Sequence, residues 1–249
     1  MSNKIIAMIP ARMQASRFPG KLTQILGDKP IIVRTFEAVK SSKVFDEVYV
    51  VCDHHDIRDV IVAAGGTVIM SKYEHESGSD RIAEAVADID CDIVVNIQGD
   101  EPFIAKSSLE KLIKLFDHDE TEIASLMQRI TDPTRITDPN CVKVVCDAQG
   151  KALYFSRSAI PYCRDEAACV PYFQHVGVYG FKKETLLKLT QLPPSRLEKI
   201  EKLENLRMLE NGMKVFLAEI SDTGIAIDTP EDLERAKNYL AAQSTESPN

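Results

Sequence analysis

The stretch IIAMIPARMQASRFPGK (Ile5–Lys21) decides the fold. A short apolar run breaks at Pro10, and three cations follow at Arg12, Arg17 and Lys21, separated by small residues and a Pro-Gly turn. An apolar run of this length, bounded by turn signals, reads as a buried strand. The cations then occupy the segment just beyond its carboxyl end. In open α/β sheets that is where ligands bind.

The next hundred residues fit such a sheet. Strands are expected at Lys4–Ile9, Glu47–Cys52, Thr67–Met70 and Asp92–Ile97. Helical patterns lie between and after them, near Ile31–Lys40, Asp56–Ala64, Ser79–Ile89 and Leu109–Phe116. Strands alternating with helices of this length read as βαβ units around a mainly parallel sheet. The strands are apolar on both faces, as expected when helices cover both sides. Beyond about residue 120 the pattern changes. EIASLMQRI, CVKVVCD, ALYFSRS and VGVYGF read as strands without helices between them, and DAQG is a hairpin turn signal. The reading is one α/β domain over residues 1–240, with a smaller, mostly antiparallel β lobe at about 130–182 and a flexible polar tail at 241–249. Arg196–Glu210, apolar at every third position, reads as one helix with a wide apolar surface, suited to a core on one side and a dimer mate on the other.

Composition narrows the function. The 249 residues are 44% apolar, enough for a sizeable core, and carry a formal net charge of −8. An acidic surface repels nucleic acid and anionic lipid, so neither is expected as a partner and any anion site must be local. Six cysteines, none in a C-x-x-C pair, read as free structural thiols of a reducing cytosol. No stretch approaches the ~20 apolar residues of a membrane span. The N-terminal apolar run is too short for a signal peptide, so a cytoplasmic location is expected.

Arg presents a bidentate fork to phosphate oxygens and Lys a mobile point charge. With backbone amides exposed by Ala11, Ala15, Ser16 and Gly20, Arg12, Arg17 and Lys21 suit a triphosphate; the alternative is a solvated loop paired with nearby acids. Two carboxylates stand out. Asp100 ends the apolar DIVVNIQ run. Asp228 precedes a helix whose capping fits Thr229 better, with Pro230 at N1 and Asp232 at N3. That leaves Asp228 as a ligand or a local turn-former. Two oxygen donors without a His/Cys set suit Mg²⁺, and zinc spacing is absent.

PARMQASRFPGK (Pro10–Lys21) resembles the nucleotide-binding signature of sugar-activating cytidylyltransferases. HESGSDR (His75–Arg81), NIQGDEP (Asn96–Pro102), DPNCVKVVCDAQGKALYFSRSAIP (Asp138–Pro161), HVGVYGF, SRLEKIEKLENLRMLENG and IDTPEDLERAK come after it in that family's order. The likeness spans about residues 5–238 and is greatest to the 3-deoxy-manno-octulosonate (Kdo) cytidylyltransferase family. It implies a Rossmann-like three-layer α/β/α nucleotidyltransferase fold. It implies Mg²⁺-dependent condensation of CTP with a keto-sugar acid for lipopolysaccharide biosynthesis, in a cytoplasmic homodimer. Catalysis would rest on Arg12, Lys21, Asp100 and Asp228, the two aspartates holding the metal. Ala11, Arg12, Ser16, Arg17, Lys21, Ser77, Gly78, Arg81 and Asp100 would bind the nucleotide. Gln98, Arg157, His175, Tyr179 and Glu204 would bind the sugar. Two departures from the family pattern, Gly224-Ile225-Ala226-Ile227 before Asp228 and Ser79 in place of Thr, bear on the sugar pocket. Alternatives are 8-amino-Kdo, a nonulosonate, or a non-catalytic nucleotide-binding homologue.

Overall fold

A computed structural model describes residues 3–14, 18–75, 77–165, 171–221 and 224–245, with side chains to 242. The chain divides into two compact units, Met1–Lys106 with Thr223–Asn249, and Ser107–Asp222.

The first unit opens with β1 (Ile5–Ala11), a small hairpin of β2 (Ile25–Leu26) and β3 (Lys29–Pro30), and α1 (Ile31–Ser42). Then come β4 (Glu47–Cys52), α2 (His55–Ala63), β5 (Thr67–Met70), α3 (Gly78–Val86) and β6 (Ile93–Asn96). β6, β1, β4 and β5 pair in that order, all parallel, with Ile6 opposite both Glu47 and Val94. Ile6, Ala7, Met8 and Ile9 are fully buried, as are Val50, Val51 and Val94. Burial of consecutive residues is what a strand covered on both faces requires. α1, α2 and α3 pack against these strands.

The second unit begins with α4 (Lys106–Lys114) and β7 (Ile123–Arg129). The turn α5 (Thr134–Thr137), β8 (Lys143–Cys146), β9 (Ala152–Ser156) and β10 (Phe173–Lys182) come next. α6 (Lys183–Thr190), α7 (Arg196–Glu201), α8 (Asn205–Glu210) and β11 (Val215–Ile220) complete it. β7–β10, β10–β8 and β8–β9 are antiparallel, and β11 runs parallel to β7. The DAQG turn closes the β8–β9 hairpin. Gly150 is left-handed at φ 80°, and Asp147 Oδ1 accepts from the amides of Gln149 and Lys151.

The chain returns to the first unit as α9 (Pro230–Thr245). This helix continues into the stretch expected as tail, since Ala241, Ala242 and Gln243 are good helix formers. Residues 246–249 lie outside the described residues. The single helix expected over Arg196–Glu210 is in fact two. α7 ends at Lys202, which is left-handed at φ 54°, and Leu203 N–H reaches back to the Glu198 carbonyl at 3.3 Å. That is the Schellman ending, with Lys in the place usually held by Gly.

Candidate active site

The loop after β1 is fixed from below by an acid. Asp53, just past the end of β4, accepts the Met13 amide at 3.1 Å and the Arg81 Nη2 at 2.9 Å. Arg81 is 4% exposed, and its Nη1 also donates to Ser71 Oγ at 2.8 Å. Arg81 therefore ties the ends of β4 and β5 to the loop. The loop closes through Gly20, left-handed at φ 67°, whose amide donates to the Met13 carbonyl at 3.0 Å. Ser16 and Arg17 lie outside the described residues.

Ser77 caps α3, its Oγ accepting from the Asp80 amide at 3.1 Å. Gly78 is next, and a Cβ there would lie a tight 3.2 Å from Pro10 Cγ, so the helix start closely approaches the end of β1. Pro10, Ala11, Arg12, His75, Ser77, Gly78, Arg81 and Gln98 line one cavity of about 130 Å³. The sequence-expected nucleotide residues Ala11, Arg12, Ser77, Gly78 and Arg81 thus share this cavity. So does Gln98, whose Nε2 donates to Asn96 Oδ1 at 3.2 Å.

Lys21 begins the turn after Gly20 and reaches both expected metal aspartates. Its Nζ donates to Asp100 Oδ2 and, at 3.0 Å, to Asp228 Oδ1. Burial works against the ammonium charge, but Asp100 and Asp228 outweigh it and hold the group above its usual range. Three local features bring these residues together. Asp100 lies just beyond β6; the Ile227 amide donates to the Asp100 carbonyl at 3.0 Å. Thr229 Oγ1 accepts the Asp232 amide at 3.2 Å, while Asp232 Oδ2 accepts the amides of Thr229 and Asp228 at 2.9 and 3.0 Å. This is the capping arrangement read from the sequence, and it leaves the Asp228 carboxylate to meet Lys21.

Glu101 is a third carboxyl at this place. Burial pushes it up to about 8, and the charges of Asp100 and Asp228 add to that. Neither Glu101 nor Asp53 stands out in the sequence reading. Asp53 carried a usable signal, because it ends the apolar VYVVC run as Asp100 ends its own.

The remaining expected sugar residues belong to the second unit. Arg157 lies just beyond β9, and its guanidinium bonds three carbonyls: Glu201 from Nε at 2.7 Å, Pro139 from Nη1 at 2.8 Å and Lys202 from Nη2 at 3.3 Å. His175 on β10 has Nε2 3.0 Å from Ser125 Oγ and its ring edge-on to Phe155. Burial pushes its imidazole down to about 3, so it is neutral. Tyr179, 5.1 Å from the His175 ring, has its phenol pushed up by burial and by Glu204, against a bond from Asn205. Glu204 is half-buried at the start of α8.

A family model described as Cytidylyltransferase matches residues 6–215. The 3-deoxy-manno-octulosonate cytidylyltransferase of Flavobacterium johnsoniae is 55% identical over 240 residues, covering 95% of this chain and 98% of that one. The protein of the same name from Christiangramia forsetii is 53% identical over 242 residues, covering 96% and 98%. Among solved structures, a CMP:2-keto-3-deoxy-manno-octonic acid synthetase complexed with CTP superposes with a TM-score of 0.92 at 36% identity, over 96% of this chain and 99% of that one. A 4-diphosphocytidyl-2C-methyl-D-erythritol synthase from Anaerococcus prevotii shares the fold, with a TM-score of 0.64 at 18% identity over 96% and 99%. With the cation loop, the paired aspartates and the parallel sheet already in place, these likenesses settle the family: the chain belongs to the cytidylyltransferases, and among them to the 3-deoxy-manno-octulosonate cytidylyltransferases.

Proposed function

We propose that this chain transfers the cytidylyl group of CTP to 3-deoxy-manno-octulosonate, giving CMP-Kdo and pyrophosphate. The observation that carries the reading is the Lys21 ammonium held on both Asp100 and Asp228 beside the cation loop. In the reaction the sugar's C2 hydroxyl attacks the α-phosphorus and gives up its proton to solvent, and pyrophosphate leaves with the electrons of the broken P–O bond. Such chemistry needs positioning and charge neutralisation more than covalent help. Arg12 is exposed at the cavity that Ser77 and Gly78 line, where it can fork onto phosphate oxygens. Lys21 ends the same loop and neutralises developing negative charge.

The donor set fits Mg²⁺. Asp100 and Asp228 already converge on one positive centre, both through hard carboxylate oxygens. Among the described residues no cluster of three His, Cys, Asp or Glu offers a softer site. Mg²⁺ takes a few carboxylates and completes its shell from phosphates and water. When bound there, it would neutralise phosphate charge and lower the pKa of the sugar hydroxyl.

Arg157 is read as the clamp for the sugar carboxylate, with Gln98 as an amide donor to it, and His175, Tyr179 and Glu204 at the hydroxyls. A homodimer, a cytoplasmic location and a place in lipopolysaccharide synthesis complete the reading. What supports the dimer is exposed apolar surface in the second unit, at Leu153, Tyr162 and Ile200, which are 58%, 88% and 67% exposed. No described helix is long and apolar enough to cross a membrane.

The test is pyrophosphate release from CTP with Kdo, 8-amino-Kdo and a nonulosonate offered separately. Kdo is expected to give the highest kcat/KM. Turnover confined to the amino sugar or the nonulosonate would overturn the choice of substrate, and none with any would overturn the activity.

A further inference from the structure

We propose that Lys143 is a positioning residue that fixes Arg157 for the sugar carboxylate. Lys143 lies on β8 and is fully buried, 0% exposed, opposite Ser156 on one side and Gln174 on the other. Its ammonium donates to three backbone carbonyls: Asp138 at 2.8 Å, Cys141 at 2.5 Å and Arg157 at 2.6 Å. An ammonium has three N–H donors, so these bonds use all of them. Burying a charge against neutral carbonyls costs far more than burying an apolar side chain of the same length. A methionine would occupy the same space but leave those three carbonyls without a donor, so the lysine serves the groups it holds.

Those groups converge on Arg157. Lys143 grips the Arg157 carbonyl, and it grips the turn at Asp138–Cys141 on both sides of Pro139. The Pro139 carbonyl in turn accepts Arg157 Nη1 at 2.8 Å. The same lysine thus fixes the backbone of Arg157 and the turn that aims its guanidinium. Glu201 holds the opposite side: its carboxylate accepts the Arg157 amide and Ser156 Oγ, each at 2.8 Å, and its carbonyl accepts Nε at 2.7 Å. These bonds, with the one from Nη2 to Lys202, use three of the five guanidinium donors. One N–H on each terminal nitrogen is not used by them and can meet a carboxylate oxygen.

The inference rests on the reading of Arg157 as the carboxylate clamp, and the experiment separates the two. Lys143→Met, Lys143→Gln, Arg157→Met and the double variant Lys143→Met/Arg157→Met are assayed for kcat, for KM of each substrate and for the Kd of CTP. Arg157→Met is expected to raise the KM for Kdo by about 100-fold, the loss of a charge-assisted pair. Lys143→Met is expected to raise it by about tenfold or more with CTP binding within about twofold, and Lys143→Gln, keeping two donors, by less. The double variant is expected to be no worse than Arg157→Met alone, because a positioning residue acts only through its target. Full additivity in the double variant, an equal rise in both KM values, or loss of CTP binding in both Lys143 variants would overturn the positioning role. An unchanged Kdo KM in Arg157→Met would instead overturn the clamp reading on which it depends.

Discussion

Lys21 answers two carboxylates at once, those of Asp100 and Asp228. It neutralises charges that would otherwise repel each other, and on the proposed function it faces the phosphates of CTP. Lys21→Met is expected to lower kcat by about 100-fold or more, the cost of removing one preorganised donor. The far-ultraviolet circular dichroism should be unchanged; a rate within about twofold of wild type would remove the role. His175 gives a second prediction, in pH. Its native pKa is depressed from 6.5 to about 3 by burial, so below 6.5 the unfolded chain takes up a proton that the native chain refuses. The stability this contributes is fully present above pH 6.5 and is lost as pH falls, by at most about 1.4 kcal/mol per pH unit. Urea midpoints between pH 7 and about 5 should therefore slope less in His175→Gln than in wild type. At this scale the sequence was most legible where one strand end announced one residue, as with Asp100. The Asp53–Arg81 pair escaped because its members stand 28 apart in the chain, and no local period connects them.

Elements were legible wherever hydrophobic period and capping agreed. Glu47–Cys52 and Thr67–Met70 begin and end where their short apolar, β-branched runs placed them. The Thr229–Asp232 cap was readable because both partners lie within four residues. Removing it by Thr229→Ala should cost about 1 kcal/mol in urea unfolding and also lower activity, since the same Asp232 carboxylate holds the Asp228 amide. The break between α7 and α8 was not legible. Apolar residues at every third position continue through it, and Lys202 bears no side-chain mark of a left-handed backbone. Lys202→Gly should stabilise the chain by about 0.5–1 kcal/mol in urea unfolding. Gly224 behaves in the opposite sense. It has φ 63°, and an added Cβ would fall 2.4 Å from Phe103 Cβ, so Gly224→Ala should lower the urea midpoint sharply.

At the scale of the molecule, net charge and the mainly parallel character of the sheet were legible together. An acidic chain that concentrates cations after its first strand suits a specific anion, and a parallel sheet would put that anion at the strand ends. What composition could not supply was the sugar, because the residues proposed for it, Arg157, His175, Tyr179 and Glu204, come from strands and helices whose pairing is long-range. The proposed dimer is likewise a property of surface; sedimentation at micromolar concentration should give a dimer, and a stable monomer would refute it. The central claim is that Asp100 and Asp228 act with Lys21 on the phosphates of CTP during transfer to Kdo. The most direct test is CMP-Kdo formation, with its Mg²⁺ dependence, in wild type, Asp100→Ala and Asp228→Ala. The prediction is Mg²⁺-dependent product from wild type and a loss of about 1000-fold or more in each variant, with the fold intact. Near-wild-type, Mg²⁺-dependent rates in either alanine variant would contradict it.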